Sequence, residues 1–320
     1  MRRALAGVAV LVLVVVGLVI AGRDTPVEEE SLTVEVSSPA GDPSVTLDAG
    51  LYQADGATLP APALLLAHGF GSDRSSLDGA ARAWAREGYD VSVLVDLLAS
   101  RPEVQQDATG DPRVALAGGS YGGGAALMAG TTEPRLDAIV AVAAWHDLAQ
   151  ALSPTATDGP GVLKEQWVSL LFTSALLGGI DEPTPSSIPA QATAAAPGLC
   201  GRFDPAICAL YVEAARTGVL APEDAALLTA RSPAGRLADA VAPTLLVHAM
   251  DDTLFSLGQA LANAEELVTA DVPFALRWVA GEHGGLPGPD SPAGREMASW
   301  LDRWLAGEDD DPFQVRLKDR

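Results

Sequence analysis

The stretch that most limits how this chain can fold is Gly118-Gly119-Ser120-Tyr121-Gly122. This G-x-S-x-G pentapeptide lies between the apolar run 114–117 (VALA) and the apolar segment 125–128 (AALM). A short unbroken apolar run closed by glycines reads as a strand covered on both faces, and the segment beyond it reads as a helix. Joining the two so abruptly demands a sharp turn with small neighbours, because the serine backbone is strained and the helix packs close to the strand. Gly123 and Gly124 extend the small-residue stretch. Such a turn projects the Ser120 hydroxyl from the sheet edge at a helix N-terminus.

The alternation of strand and helix continues along the chain. Residues 31–36 and 45–53 alternate as early strands around the turn-rich 38–43 (SPAGDP). Residues 63–67 (ALLLA), 138–144 (AIVAVAA), 244–248 (TLLVH) and 274–279 (FALRWV) read as further strands. Ser75-Ser76-Leu77-Asp78 offers a capping box to a helix carrying Leu77, Ala80, Ala81, Trp84 and Ala85. Ser256 with Gln259 starts another, running through Leu267, and Ser291-Pro292 starts a closing helix with Met297, Trp300 and Leu301 on one stripe. This order predicts an α/β fold, a mainly parallel sheet with helices on both faces. Between about 147 and 240 the strand signals lapse and 161–178 and 205–217 look helical, so a helical cap is expected over the C-terminal edge of the sheet. Residues 90–100 admit two readings. Val91, Leu94, Val95 and Leu98 suit a helix ended by Pro102, whereas Val91, Val93 and Val95 suit a short strand. On the helix reading one central strand is missing.

Composition narrows the function. With 42 acidic against 20 basic residues in 320, the net charge of −22 argues against nucleic acid or anionic lipid as a partner. Four His and two Cys give no multi-ligand zinc pattern, and no metal or cofactor is expected. Arg2 and Arg3 precede an apolar run over residues 4–21, the layout of an export signal, and its 18 residues also suffice to span a bilayer. Residues 1–22 are therefore expected to be a signal peptide or membrane anchor, 23–31 a linker, 32–306 the folded domain and 307–320 a charged tail. The body is expected outside the cytoplasm, secreted or tethered by that N-terminal segment.

A serine hydroxyl attacks well only with a base beside it. His283, in Gly281-Glu282-His283-Gly284-Gly285, lies just past the last strand, where a loop can carry an imidazole over Ser120. His68 sits in a loop after an earlier strand, His248 reads as a core residue, and His146 comes too early for the chain order serine, acid, histidine. The base needs a carboxylate to fix its tautomer. Asp251 and Asp252 follow the 244–248 strand; being adjacent, their side chains diverge and one of the two faces His283, while Asp147 is a further candidate. Charge developing on a substrate oxygen needs fixed donors. The Tyr121 amide is one, and the Phe70 amide, in His68-Gly69-Phe70-Gly71, is the expected second.

Together these residues resemble the α/β-hydrolase superfamily, and within it the Xaa-Pro dipeptidyl-peptidases and cocaine-esterase-like acyl hydrolases. The resemblance runs from about 44 to 306, covers the catalytic domain only, and rests on LLLAHGFGSDRSSL, GDPRVALAGGSYGGGAAL, RLDAIVAVAAWHDLAQAL, GVLKEQW, CGRFDPAIC, APTLLVHAMDDTLFSLGQA and GEHGG. It implies a serine hydrolase working through an acyl-enzyme on a peptide or small-molecule ester. It also implies that the acid is Asp252, which stands immediately before Thr253-Leu254-Phe255. Some relatives offer a Tyr hydroxyl to the oxyanion, which Phe70 cannot do. Aminopeptidase specificity would further need a carboxylate by the pocket, for which Asp147 and Glu165 are candidates. Cys200 and Cys208, eight apart in an exported chain, are expected to form a disulfide. The competing reading is a surface-tethered binding protein on a degenerate hydrolase scaffold.

Overall fold

The computed structural model describes residues 25–36, 45–86, 90–92, 95–155, 161–177, 200 and 203–306. The expected export segment, the tail from 307 and much of the cap between 178 and 202 lie outside these residues. In chain order the strands and helices are β1 (Val27–Val36), β2 (Val45–Ala54), β3 (Ala63–Ala67), α1 (Asp78–Arg86), β4 (Asp90–Ser92), α2 (Val95–Ala99), a small hairpin β5 (Gln106–Ala108) with β6 (Asp111–Pro112), β7 (Val114–Gly119), α3 (Tyr121–Ala129) and β8 (Leu136–Val142). Helices α4 (Leu148–Leu152), α5 (Glu165–Leu177), α6 (Pro205–Thr217) and α7 (Pro222–Thr229) come next, then β9 (Thr244–Ala249), α8 (Leu257–Thr269), β10 (Phe274–Val279) and α9 (Pro292–Leu301).

Eight strands form one sheet in the order β1-β2-β4-β3-β7-β8-β9-β10. The strands from β4 to β10 are parallel, and β1–β2 and β2–β4 pair antiparallel. A parallel sheet delivers all its strand C-termini to one edge, which is where ligand sites form in open α/β sheets. The fold is that of an α/β-hydrolase.

Burial follows strand alternation. Leu64 and Leu66 of β3 join Trp84 of α1 and Met297, Trp300 and Leu301 of α9 on one face of the sheet. Leu65 points the other way, into a cluster with Leu127, Ile139, Leu246 and Leu267. Fully burying each such aliphatic side chain contributes roughly 1.5–3 kcal/mol, so both faces anchor the central strands that carry the site.

Four expectations change. Residues 27–31 are not linker but the start of β1. The acidic run that reads as linker decorates an edge strand, where charge discourages edge-to-edge pairing. Its Glu29 also pairs with Arg74, at 2.7 Å, and with Arg82. The central strand is not missing. β4 pairs in parallel with β3 through Ala63↔Asp90, Leu64↔Val91 and Leu65↔Ser92, and α2 follows at Val95, so both readings of 90–100 are realised in succession. Three residues suffice because β2 and β3 flank the slot on both sides. Finally, Asp73 rather than Ser75 starts the first helical turn, its carboxylate accepting from the Ser75 amide at 3.0 Å. Gln259 closes no capping box either: its Oε1 accepts from the amides of His146 and Asp147 at 2.8 and 2.9 Å, tying α8 to the chain leaving β8.

Candidate active site

Ser120 stands between β7 and α3 with φ +54° and ψ −116°, a conformation a non-glycine residue adopts only under constraint. The constraint is visible around it. The Ser120 amide donates to Val142 O at 2.9 Å and its carbonyl accepts from Gly124 N at 3.1 Å. Glycine is required where helix meets strand: a Cβ on Gly122 would lie 2.1 Å from Ala67 O, and one on Gly118 would lie 2.2 Å from Gly122 itself. The sequence folds this way because nothing larger fits between α3, β3 and β7.

Two loops bring partners to this hydroxyl. After β10, His283 places Nε2 2.8 Å from Ser120 Oγ. After β9, Asp252 places Oδ2 2.7 Å from His283 Nδ1. The Asp252 side chain is fully buried. Its second oxygen, Oδ1, accepts from the Leu254 and Phe255 amides at 2.9 and 2.8 Å. With both Asp252 oxygens accepting, Nδ1 carries the imidazole proton and Nε2 is free to accept from the serine hydroxyl. Of the adjacent pair, Asp251 points outward and is exposed. The imidazole is wedged between rings, with Phe255 at 5.2 Å and Trp167 at 5.8 Å, both edge-on.

The remaining histidines are elsewhere. His68 Nδ1 is 2.9 Å from the carbonyl of Gly69 in its own loop, and His146 Nε2 is 2.7 Å from Glu266 Oε1. His248 is buried in β9, where Nε2 donates to Phe255 O at 2.6 Å and lies 3.5 Å from Asp252 Oδ2. Burial pushes its imidazole below the ordinary histidine value, against the Phe255 carbonyl and Asp252, which favour protonation.

The loop after β3 approaches from the other side. A Cβ built on Gly69 would be 4.0 Å from Ser120 Cβ, and Phe70 lines the adjacent cavity. The Tyr121 amide opens α3, where the first amides of a helix have no intrahelical acceptor. Rings run outward from there: Tyr121 meets Phe70 at 5.6 Å, Phe70 meets Phe203 at 5.7 Å, and Phe203 stacks on Phe172 at 4.8 Å. Phe203 lies inside the loop closed by the Cys200–Cys208 disulfide.

Ser120 and His283 open into a cavity of about 480 Å³. Its apolar lining includes Leu77, Ala80 and Leu286, together with Trp167, Leu170 and Leu171 from α5. Ser72, Ser75 and Ser76 also line it, the Ser75 and Ser76 hydroxyls donating to Asp73. Among the described residues no Asp, Glu, Lys or Arg side chain lines it. Asp147 caps α4 through Gln150 N at 3.0 Å and accepts from Thr229 Oγ1 at 2.9 Å, and Glu165 faces Gly218, so neither candidate carboxylate reaches the cavity. Among the described residues no group of three or more His, Cys, Asp and Glu is placed to hold a metal ion.

Comparison with known proteins gives a family and a fold. The family model of X-Pro dipeptidyl-peptidase (S15 family) matches residues 73–285. No curated protein matches. Among solved structures, the acylaminoacyl peptidase of Pyrococcus horikoshii is similar at TM-score 0.53 and 14% identity, over 93% of this chain and 45% of its own. A hypothetical protein from Pseudomonas aeruginosa is similar at TM-score 0.51 and 18% identity, over 87% of this chain and 94% of its own. A puromycin-hydrolyzing peptidase of Mycobacterium tuberculosis is similar at TM-score 0.50 and 15% identity, over 87% of this chain and 39% of its own. The chain thus spans less than half the length of the two peptidases, and identities this low speak for the shared fold alone.

Proposed function

The chain belongs to the X-Pro dipeptidyl-peptidase (S15) family and is a serine hydrolase of the peptidase and esterase type, and from that premise we propose that it cleaves a carboxylic ester with a neutral acyl group, outside the cytoplasm, through an acyl-enzyme. The observation that carries the reading is the continuous chain of contacts Ser120 Oγ, His283 Nε2, His283 Nδ1, Asp252 Oδ2 at 2.8 and 2.7 Å.

His283 Nε2 takes the hydroxyl proton as Ser120 Oγ bonds to the carbonyl carbon. Negative charge on the carbonyl oxygen is met by the Phe70 and Tyr121 amides, with the N-terminus of α3 behind them. The imidazolium, steadied by Asp252, returns its proton to the leaving alcohol oxygen as the carbon–oxygen bond breaks. A water then repeats the sequence on the acyl-Ser120 ester and releases the acid. Backbone amides and three side chains suffice for every step.

An ester is favoured over an Xaa-Pro dipeptide by the walls of the cavity. A free N-terminus is a cation, and holding it away from water needs an anionic or strongly accepting partner. Among the described residues the walls supply leucines, tryptophan and serine hydroxyls. Family membership supports the dipeptide reading, and one experiment divides the two. Initial rates on p-nitrophenyl butyrate, alanyl-prolyl-p-nitroanilide and its N-acetylated form are expected to rank the ester first and the acetylated anilide above the free one. A free anilide at least about tenfold better than its acetylated form, worth about 1.4 kcal/mol of ammonium recognition, contradicts the ester assignment.

Location outside the cytoplasm is supported by the basic-then-apolar residues 2–21 and by the Cys200–Cys208 disulfide. Among the described residues no helix is long and apolar enough to cross a membrane. Fractionation of the producing cell, with recovery in the medium or membrane fraction rather than the cytosol, checks this.

A further inference from the structure

The turn Asp252–Phe255 is fastened on both sides of its backbone. Inward, the Leu254 and Phe255 amides donate to Asp252 Oδ1, leaving Oδ2 for His283. Outward, each of the two residues' carbonyls is met by a side chain from a different part of the fold. Phe255 O accepts from His248 in β9, a strand of the sheet. Leu254 O accepts from Lys164 Nζ at 2.7 Å, and Lys164 immediately precedes α5 in the helical segment between β8 and β9. Lys164 is itself fixed, its amide donating to Leu152 O at 2.8 Å and its carbonyl accepting from Val168 N at 2.9 Å. Three residues on, Trp167 Nε1 donates to Thr253 Oγ1 at 3.2 Å, so α5 and the residue just before it hold the acid turn at two points.

A lysine is an expensive choice for this place. Its ammonium is partly withdrawn from water, and the hydrogen bond goes to a neutral carbonyl rather than a carboxylate. Burial pushes the ammonium below the ordinary lysine value, with Asp252 acting in the opposite direction. Around it, Leu254 and Phe255 pack with Trp145, Leu152, Trp167 and Leu171, so an apolar side chain of similar length would suit the surroundings. What the ammonium adds is direction, a bond that fixes the carbonyl between Asp252's two amide donors, and a positive field on the buried carboxylate.

We propose that Lys164 is a positioning residue for the hydrolytic reaction: through Leu254 it aims Asp252 at His283, so that turnover depends on the docking of α5 against the acid turn. This goes beyond the assignment of Ser120, His283 and Asp252 but rests on it. Lys164 touches no reacting atom, and its effect belongs on the rate of acylation rather than on the fit of substrate in the cavity.

The test compares Lys164→Met and Lys164→Arg with the wild type on p-nitrophenyl butyrate, with kcat expressed per fluorophosphonate-titrated site and thermal melts run in parallel. Lys164→Met is expected to lower kcat per titrated site by at least tenfold, with KM changed by less than about twofold and a cooperative melt. Lys164→Arg, which keeps the charge and a donor, is expected to retain at least a third of wild-type kcat. Should Lys164→Met not melt cooperatively, Lys164→Gln takes its place with the same thresholds. A charge-free variant within twofold of wild-type kcat overturns the proposal, as does Lys164→Arg falling as far as Lys164→Met. A wild type inert towards both the ester and alanyl-prolyl-p-nitroanilide overturns the hydrolase reading itself, and this proposal with it; activity on the anilide alone overturns only the ester assignment, and the same thresholds are then read on the anilide.

Discussion

The two halves of the site are held by opposite means. At the nucleophile turn, order comes from what is left out: glycines at 118 and 122 let α3, β3 and β7 approach until a single methyl group would collide with backbone at about 2 Å. At the acid turn, order comes from what is put in: Asp252, His248 and Lys164 each spend a side chain on the conformation of residues 252–255. The first half should tolerate no enlargement and be insensitive to pH. The second should respond to charge and protonation.

The sharpest way to break this contrast is at Asp252. Asp252→Asn keeps the shape of the turn but can present an amide N–H to His283 Nδ1, which favours the wrong tautomer. A fall in kcat of about 10³–10⁴ is expected, with the melting temperature lowered by only a few degrees. Equal losses of kcat and stability would mean that the residue is chiefly structural. On the other side, Gly122→Ala is expected to destabilise the fold by about 3 kcal/mol or more, because the clash with Ala67 O is against backbone that cannot rotate away. Denaturant melts check this; a variant within about 0.5 kcal/mol of wild type would remove the steric account of the turn.

That asymmetry also explains what the sequence disclosed. The nucleophile turn is contiguous, so its small residues and flanking apolar runs were readable as one unit. His283 and Asp252 followed from chain order and from the resemblance, because parallel strands bring successive loops to one edge. His248 and Lys164 were legible only as a core histidine and as part of a matching block. Their roles depend on contacts seven and ninety positions away along the chain, and no local pattern encodes those. The same limit applies to β4, whose three residues are a strand because two neighbours complete it, and to Glu28-Glu29-Glu30, whose charge suggested solvent rather than an edge strand.

Protonation sharpens the comparison further. Burial holds the folded His248 below its ordinary value of 6.5, so the unfolded chain binds the proton more readily. Stability tied to this group is intact above pH 6.5 and is lost as pH falls below it. The melting temperature is expected to drop between pH 6.5 and 5, and His248→Gln, which keeps a donor for Phe255 O, is expected to flatten that segment of the curve. An unchanged slope would detach His248 from the acid turn's stability.

The smallest expected effect lies at the far end of the nucleophile strand. Asp137 Oδ2 accepts from Val114 N at 2.7 Å, and burial raises its carboxyl to about 6. A raised carboxylate works in the opposite sense to His248. The folded form binds the proton more tightly, so its contribution to stability declines as pH rises from about 4 through 6. Asp137→Asn, which can still accept from Val114, is expected to stabilise the protein by about 1–2 kcal/mol at pH 7.5, with the gain vanishing near pH 4. Denaturant midpoints at the two pH values check the sign.

The most direct measurement is the reaction of the purified protein with a fluorophosphonate, followed by peptide mass spectrometry and by ester turnover of the same sample. Stoichiometric modification at Ser120 is expected, with loss of ester hydrolysis in proportion to labelling and neither labelling nor turnover in Ser120→Ala. Cooperatively folded wild-type protein that leaves Ser120 unmodified, or that hydrolyses the ester equally well as Ser120→Ala, would contradict it.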